Sequence, residues 1–274
     1  LAHYDYWQNR IRPSILTEMD ADLTVFGMGE RQAIRISRDL SEARRALDSG
    51  AEAAEGRWYE PALKRLRNER GIAYVADREA AREIPHRLML PSFEEVRDDK
   101  KKFAKAAYFI EYEASPYNGR RLVQYHGSRA AVINPPALPL STEEMDAIYE
   151  MPFTKEQHPQ YKARIPAADM IRFSVNSTRG CFGGCSFCAI TLHQGRIVQS
   201  RSEESLLKEV EGLNQVPGFM GIVSDIGGPT ANMYQLRCRS KEIPSKCRKL
   251  SCVHLRVCPQ LHTDQDRKST RLNS

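Results

Sequence analysis

The sequence has no apolar run long enough to cross a membrane and no secretory signal ahead of its first predicted element. A membrane-spanning helix needs about 20 consecutive apolar residues, and no stretch of this chain approaches that length. Cysteine is absent from the first 180 of the 274 residues. A disulfide framework through most of the chain is therefore excluded, and these absences predict a cytoplasmic protein with no membrane partner.

The composition is ordinary for a soluble globular protein, with 41% hydrophobic and 28% charged residues. The net charge of +6 supports a nucleic-acid partner only weakly. The chain begins with Leu1 and lacks a starting methionine, and its last residues, 266–274, are DRKSTRLNS. That string resembles a translated sequencing-adapter read-through. We therefore expect a fragment that is incomplete at its start and carries an artefactual tail at 266–274.

Three of the seven cysteines form a compact motif. Cys181, Cys185 and Cys188 are spaced C-x3-C-x2-C, with two glycines inside the first gap. Three thiolates gathered by a glycine loop can hold three irons of a [4Fe–4S] cluster and leave the fourth iron open. A structural zinc site and a plain electron-transfer cluster are the alternatives. Zinc sites favour paired C-x2-C units, whereas a four-cysteine cluster needs a fourth cysteine nearby, and the next one is Cys238.

The triplet resembles the cluster motif of the radical S-adenosylmethionine (SAM) superfamily, including the aromatic Phe187 before the third cysteine. The resemblance implies that Cys181, Cys185 and Cys188 hold a [4Fe–4S] cluster whose open iron binds SAM. It also implies reductive cleavage of SAM to a 5′-deoxyadenosyl radical. The electron would come from an external donor of the flavodoxin or ferredoxin type.

Longer blocks make the resemblance more specific. The strings ADLTVFGMGER, VINPPALPLSTEEMD, MIRFSVNSTRGCFGGCSFCAIT and SDIGGPTANMY resemble consecutive blocks of the YgiQ-type (UPF0313) radical SAM proteins. This resemblance covers about residues 4–264 and implies a radical SAM enzyme of unknown reaction and substrate. Because only the start of the barrel would be present, the fragment is expected to be inactive alone.

The resemblance also implies a SAM-binding loop after the second barrel strand. Gly227 and Gly228 match the glycine-rich loop that receives the amino group of SAM. Phe187, Asp225 and Thr230 are the further candidate cofactor-binding residues. The chain departs from the superfamily pattern directly after the glycines, where Pro229 replaces the usual acidic residue.

The fold class expected from these patterns is α/β. We expect an N-terminal α/β domain at 1–150 that resembles the end of a Rossmann-like, cobalamin-binding-like domain. A proline-rich linker at 151–170 precedes the truncated start of a radical SAM (β/α) barrel at 171–265, with a cysteine-rich insertion at 237–258. The main elements predicted from periodicity and capping signals are helices at 31–47, 93–112, 143–149 and after Ser202, a strand at 71–75, a hairpin around Gly127-Ser128, and barrel strands near Phe173 and at 219–224.

A second group of cysteines lies in the insertion. Cys238, Cys247, Cys252 and Cys258 are spaced C-x8-C-x4-C-x5-C among basic residues. Four soft thiolates in a short segment are a candidate site for zinc or a second Fe–S cluster, although the spacing matches no common zinc pattern. Four thiols without a metal are the other interpretation. The alternative to an enzyme is therefore a non-catalytic metal-binding or RNA-contacting module with structural cysteine clusters.

Overall fold

The computed structural model describes residues 1–19, 21–50, 57–229 and 232–262. The structure is mixed α/β, and its contacts divide the chain into two compact units. The first unit comprises Leu1–Leu138 together with Ser245–Leu250. The second comprises Pro139–Pro244 and the chain from Ser251 onward. The domain limits inferred from the sequence stay a prediction.

The first unit is built around a mixed sheet of five strands. Its elements in chain order are β1 (His3–Asp5), β2 (Arg10–Arg12), α1 (Ile15–Glu18), β3 (Thr24–Val25), α2 (Glu30–Asp48), α3 (Glu60–Leu66), β4 (Ile72–Asp77), α4 (Arg78–Arg82), β5 (Arg87–Met89), α5 (Phe93–Asp98), α6 (Lys100–Tyr112), β6 (Arg121–His126) and β7 (Arg129–Ile133).

The sheet has the order β3-β4-β7-β6-β5. The hairpin predicted around Gly127-Ser128 is confirmed, because β6 and β7 pair antiparallel on either side of this turn. Strand β5 pairs parallel with β6, which makes the sheet mixed. Tyr74, Val123 and Val132 are buried together on one face and form its core. Alternating apolar residues in β4, β6 and β7 supply this face.

The charged helix predicted at 93–112 is wrong in one respect, because the structure breaks it at Asp99. That residue is extended, with φ −132° and ψ 110°, and its carboxylate accepts hydrogen bonds from the backbone of Lys101 at 2.8 Å and Lys102 at 3.4 Å. Aspartate favours an N-cap over a helix interior, since its short side chain satisfies free N–H groups at a helix start. Asp99 therefore ends α5 and begins α6.

The second unit carries the cysteine triplet. Its elements are α7 (Thr142–Tyr149), α8 (Pro166–Ile171), β8 (Ser174–Asn176), β9 (Thr178–Arg179), α9 (Ile190–His193), β10 (Gln199–Ser200), α10 (Glu203–Gly212), a 3-10 turn (Leu213–Gln215), β11 (Asp225–Gly227), β12 (Arg237–Cys238) and β13 (Leu261–His262). Between β12 and β13, the short helix α11 spans Ile243–Lys246, where the chain passes from the second unit to the first. The capping box predicted at the start of α7 is confirmed by the reciprocal hydrogen bonds of Ser141 and Glu144.

Strands β8 and β11 form a parallel pair joined by a connection that contains α10. Leu206 of α10 packs with Val175 of β8 in one buried cluster, as a βαβ crossover requires. The strand predicted at 219–224 is wrong, since the strand lies at Asp225–Gly227. Gly218 and Gly221 have φ of +81° and +80°, so the backbone turns twice before it can extend.

Helices of membrane-spanning length and apolarity are absent from the part of the chain that the structure describes.

Candidate metal centre

The cysteine triplet lies on a loop that leaves the end of β9. Strand β9 pairs antiparallel with β10, with Arg179 opposite Gln199. The Cys181 backbone N–H then donates to the Gly195 carbonyl at 3.1 Å. Phe182, the next residue, is buried in a cluster with Val198 and Leu261. The first cysteine is thus held at a fixed position by strand pairing on one side and apolar packing on the other.

The sulfur atoms of Cys181 and Cys185 approach the same point in space. A Cβ built on Gly183 would lie 3.2 Å from the Cys181 sulfur and 3.6 Å from the Cys185 sulfur. The backbone N–H of Gly183 also donates a hydrogen bond to the Cys181 sulfur at 3.3 Å. Glycine at this position therefore leaves open the volume between the two thiols that a side chain would fill.

The third cysteine is tied to the second through the backbone. The Cys188 N–H donates to the Cys185 carbonyl at 3.1 Å, which closes a turn around Phe187. Cys185 is exposed and Cys188 is half-buried. Across residues 1–19, 21–50, 57–229 and 232–262, no three His, Cys, Asp or Glu side chains are arranged to hold a metal ion. The structure brings the thiols of Cys181 and Cys185 together and leaves Cys188 at the edge of the loop.

These features fit an iron–sulfur cluster. Thiolate ligands of such clusters are tuned by N–H groups that donate to sulfur, and the Gly183–Cys181 bond is of this kind. The volume above Gly183 is bordered by two soft donors and no carboxylate. The ring of Phe187 is 90% exposed beside Cys188, so it is accessible to a ligand that binds at this loop.

The predicted SAM loop lies beside the strand that leads to the triplet. Gly227 ends β11, and its carbonyl accepts from the Ser177 N–H at 2.6 Å. A Cβ at Gly228 would overlap the hydroxyl of Thr178, so only glycine fits there. Asp225 is exposed at the start of β11, with its carboxylate 3.4 Å from the Cβ position of Gly227. Thr230 lies outside the described residues.

Thr178 is a residue that the sequence analysis did not single out. It is buried on β9, three positions before Cys181, and its side chain is the surface against which Gly228 packs. The available signal was a small hydroxyl residue between the predicted strand and the first cysteine. Thr178 links the candidate SAM loop to the cysteine loop.

Arg201 is a second residue that was missed. Its side chain is fully buried and donates to the Asn176 carbonyl at 3.1 Å and to the Ser205 carbonyl at 2.9 Å. It also pairs with Glu209 and lies 4.5 Å from the ring centre of Tyr149. Arginine is almost never fully buried unless it is paired. Because the partners of Arg201 are brought to it by the fold, no sequence pattern indicates this role. Arg201 joins the end of β8 to α10.

The second cysteine group is divided between the two units. Cys247 belongs to the first unit, where its carbonyl accepts from the Asn118 amide at 3.0 Å. Cys238, Cys252 and Cys258 belong to the second, and Cys238 lies opposite Leu261 in the β12–β13 pair. The Cys258 N–H donates to the Cys252 carbonyl at 2.7 Å.

The cysteine-rich insertion also contacts the cysteine loop. The Cys252 N–H donates to the Phe182 carbonyl at 3.1 Å, and the Ser251 hydroxyl donates to the same oxygen. Cys252 and Cys258 pack against the buried cluster that contains Phe182 and Leu261. Two of the four cysteines are therefore adjacent to one another and to the residue that follows Cys181.

Comparison with known proteins gives a family and relatives. The family model described as "Radical SAM N-terminal" matches residues 1–174. A UPF0313 protein of Rhodopseudomonas palustris is 46% identical over 271 residues, which cover 97% of this chain and 40% of that protein. A UPF0313 protein of Methanocella arvoryzae is 44% identical over 272 residues, 99% of this chain and 42% of that protein.

The UPF0313 protein YgiQ of Salmonella typhimurium is 41% identical over 303 residues, 96% of this chain and 42% of that protein. The chain thus spans about two fifths of the length of these curated relatives. No solved structure gives a significant match.

Proposed function

We propose a function from one premise, which is that the chain belongs to the radical SAM N-terminal family. The proposal is that Cys181, Cys185 and Cys188 hold a [4Fe–4S] cluster in an enzyme that cleaves SAM. The observation that carries it is the convergence of the Cys181 and Cys185 sulfurs on the open side-chain position of Gly183. When bound, such a cluster supplies the electron that splits SAM into methionine and a 5′-deoxyadenosyl radical.

The residues of this chain have distinct roles in the proposal. Cys181 is the anchored ligand, because Phe182 is buried beside it and the Gly183 N–H holds its sulfur. Cys185 and Cys188 are the more exposed ligands, and the Cys185 sulfur already borders the same volume, 3.6 Å from the Cβ position of Gly183. Metal binding of this kind requires the thiolate form and orders the loop that supplies it.

The SAM side of the proposal rests on the turn after β11. Gly228 packs against Thr178 where a side chain would not fit, and the family pattern assigns the cofactor ammonium group to the turn at 227–228. Asp225 supplies an exposed carboxylate at the start of the same strand, and Phe187 supplies an exposed ring on the neighbouring loop. Thr230 remains part of this proposal on the sequence pattern alone.

The larger architecture follows the family assignment. We propose that the five-stranded sheet belongs to a Rossmann-like, cobalamin-binding-like domain and that the β8–α10–β11 unit begins a (β/α) barrel. Parallel strands joined by a helical crossover are the repeating unit of such barrels, and functional loops follow the strand carboxyl ends. Gly227 ends β11, and the triplet follows β9, the short strand that comes directly after β8. The proposed electron donor is external, of the flavodoxin or ferredoxin type, in a cytoplasmic protein.

The three members of the second cysteine group that lie in the second unit, Cys238, Cys252 and Cys258, are proposed as a separate site for zinc or another Fe–S cluster. The adjacency of Cys252 and Cys258 supports it. Metal analysis of a Cys181, Cys185 and Cys188 triple alanine variant tests this site alone. Iron or zinc bound by that variant is the expected result, whereas a metal-free variant would exclude the second site.

A substitution at Gly183 tests the primary proposal. Gly183→Ala places a methyl group 3.2 Å from the Cys181 sulfur, in the volume assigned to the cluster. After anaerobic reconstitution we expect the wild-type chain to be brown and to bind iron and sulfide, and the variant to lose most of both. Gly212→Ala is the matched control, since a Cβ at Gly212 meets no atom within 4 Å.

Electron paramagnetic resonance of the reduced protein adds the second half of the test. A spectrum that changes on addition of SAM supports binding at an open iron. A colourless wild-type protein that takes up only zinc would contradict the enzyme proposal and favour a non-catalytic metal-binding module instead.

A further inference from the structure

Three strands of the first unit begin at the same edge of its sheet, meaning the edge formed by the strand ends and not an outer strand. Strand β6 is parallel to β5 and antiparallel to β7, and β7 is antiparallel to β4. Strands β4, β5 and β6 therefore run in one direction, and their amino-terminal ends meet. Arg87 is the first residue of β5, Arg121 is the first residue of β6, and Arg67 lies five residues before β4. The topology thus gathers three arginines at one edge.

The three arginines also share a face of the sheet. Arg87 and Arg121 are direct register partners, so their side chains leave the sheet on the same side. The Arg121 side chain reaches the amide oxygen of Asn68 at 3.4 Å, and Asn68 follows Arg67 in the chain. The guanidinium carbon of Arg67 lies 5.8 Å from the ring centre of Tyr74.

The charges of two of these arginines reach the same phenol. Burial raises the pKa of Tyr74, and the positive charges of Arg121 and Arg67 oppose that rise. Tyr74 is in the buried core of the same sheet face. The arginines therefore border the apolar core at a half-buried position, where charges are screened less than on an open surface.

Each arginine has a buried donor without a partner. The Nε atoms of Arg67, Arg87 and Arg121 are all inaccessible to solvent and make no hydrogen bond. Their other nitrogens have modest partners: Arg87 donates to the Ile84 carbonyl at 2.6 Å, and Arg67 lies 3.4 Å from the Glu60 carboxylate. A buried donor left unpaired destabilises the folded state. Three such donors at one edge form an arrangement that an acceptor would satisfy.

The charge balance points to the same conclusion. Arg87 and Arg121 lie side by side on neighbouring strands, a placement of like charges that destabilises a sheet. Glu60 supplies a negative charge to Arg67, at 3.4 Å. The planar guanidinium presents paired donors that match the oxygens of phosphate better than a point charge does.

We propose that Arg67, Arg87 and Arg121 form a binding site for a phosphate group, separate from the cysteine loop. The three side chains are only half-buried, so a terminal or free phosphate of a small molecule is the group that would reach their guanidinium groups. Phosphate bound there offsets the repulsion between Arg87 and Arg121 and satisfies the unpaired donors. The site does not depend on metal or SAM, because every residue in it belongs to the first unit and none to the cysteine loop.

Binding of inorganic phosphate and pyrophosphate to the full chain tests the site. Line broadening of the phosphorus NMR signal reports binding directly and does not require a change in stability. We expect Arg121→Gln and Arg87→Gln to weaken binding about tenfold or more, the loss that corresponds to one charge-assisted hydrogen bond. Arg97→Gln is the matched control, because Arg97 is exposed and already pairs with Asp98. Equal binding by all three variants, or no binding by the wild-type chain, would overturn the proposal.

Thermal unfolding in sodium phosphate against sodium chloride of equal ionic strength gives an independent measurement. Phosphate is expected to raise the midpoint of the wild-type chain and of Arg97→Gln, and to raise that of Arg121→Gln less. A short single-stranded oligonucleotide without terminal phosphates provides the last arm. If it displaces pyrophosphate from the wild-type chain, the assignment to a small phosphate is wrong and the site contacts a nucleic-acid backbone.

Discussion

Cys185 is the most exposed cysteine of the triplet, and its substitution separates cluster binding from folding. Cys185→Ala removes one thiolate ligand and is expected to abolish stable iron binding. The free energy of unfolding should change by less than about 0.5 kcal/mol, because exposed side chains contribute little to stability. Iron analysis and thermal unfolding measure the two quantities. Cys247→Ala is the control, since Cys247 lies in the other unit.

Retention of a full cluster by Cys185→Ala would contradict the ligand assignment. Loss of iron from Cys247→Ala as well would show that the assay reports general thiol damage and not the triplet.

Individual residues were predictable where their chemistry is local in sequence. The triplet spans eight residues, so its spacing alone indicates a metal site. Thr178 and Arg201 were not predictable, because each acts through a partner brought close by folding. Thr178 contacts Gly228, which is 50 residues away in sequence, and Arg201 contacts Asn176, which is 25 residues away. Such contacts depend on strand register, which one sequence does not specify.

Helix α10 is joined to β8 by a buried arginine, and that connection is expected to govern the stability of the second unit. Arg201→Met keeps the length of the side chain but removes its hydrogen bonds to Asn176 and Ser205. The expected loss is about 3 kcal/mol in the free energy of unfolding, since the carbonyls are left without their donor. Chemical denaturation measures it. The control is Lys208→Met on the same helix, whose exposed pair with Glu150 should matter by less than about 0.5 kcal/mol.

A loss in Arg201→Met no larger than in Lys208→Met would show that α10 is held by apolar packing alone.

The end of helix α6 depends on a buried carboxylate. Glu113 has a fully buried side chain, and it accepts hydrogen bonds from the backbone and side chain of Arg120 and from Arg248 at 2.9 Å. Burial alone would raise the pKa of Glu113, but these hydrogen bonds outweigh it and hold that pKa below its usual value. The contribution of Glu113 to the free energy of unfolding is therefore complete above its unfolded-state pKa of about 4.3. It is lost as the pH falls through the lower folded-state pKa.

We expect Glu113→Gln to remove this part of the acid dependence and to lower the stability of the first unit at neutral pH by about 2–3 kcal/mol. Unfolding curves recorded between neutral and acid pH for the two proteins provide the measurement. Parallel curves that differ by a constant amount would contradict the assignment to Glu113.

At the level of elements, prediction succeeded where local signals agree. The capping box at Ser141 and the hairpin turn at Gly127-Ser128 are both observed. It failed where two interpretations of one string compete. Residues 219–224 are apolar enough for a strand, but Gly218 and Gly221 turn the backbone and move the strand to Asp225–Gly227. Apart from the β6–β7 hairpin, the order β3-β4-β7-β6-β5 follows from long-range pairing and had no sequence signal.

For the whole molecule, apolar side chains are exposed in the segment that precedes β11, in the two-stranded sheet formed by β8 and β11. In the described part of the chain, β11 pairs with β8 alone, and nearby Met220 and Ile222 are 85% and 70% exposed. Open strand edges with apolar neighbours favour pairing with another chain. We therefore expect concentration-dependent association in sedimentation experiments, reduced by the double substitution Met220→Lys and Ile222→Lys.

Met151→Lys is the control, since Met151 is also exposed but lies directly after α7. If Met151→Lys reduces association as much as the double variant does, general charge repulsion is responsible and not the β11 edge.

The return of residues 245–250 to the first unit has a consequence during translation. Arg248 follows its partner Glu113 by 135 residues. At a synthesis rate of about 5–20 residues per second, the ribosome takes roughly 7 to 27 seconds to make that interval. During that time Glu113 can pair with Arg120 but not with Arg248, and the Asn118 amide cannot yet donate its hydrogen bond to the Cys247 carbonyl. The nascent first unit therefore completes its hydrogen bonds only after much of the second unit has been synthesised.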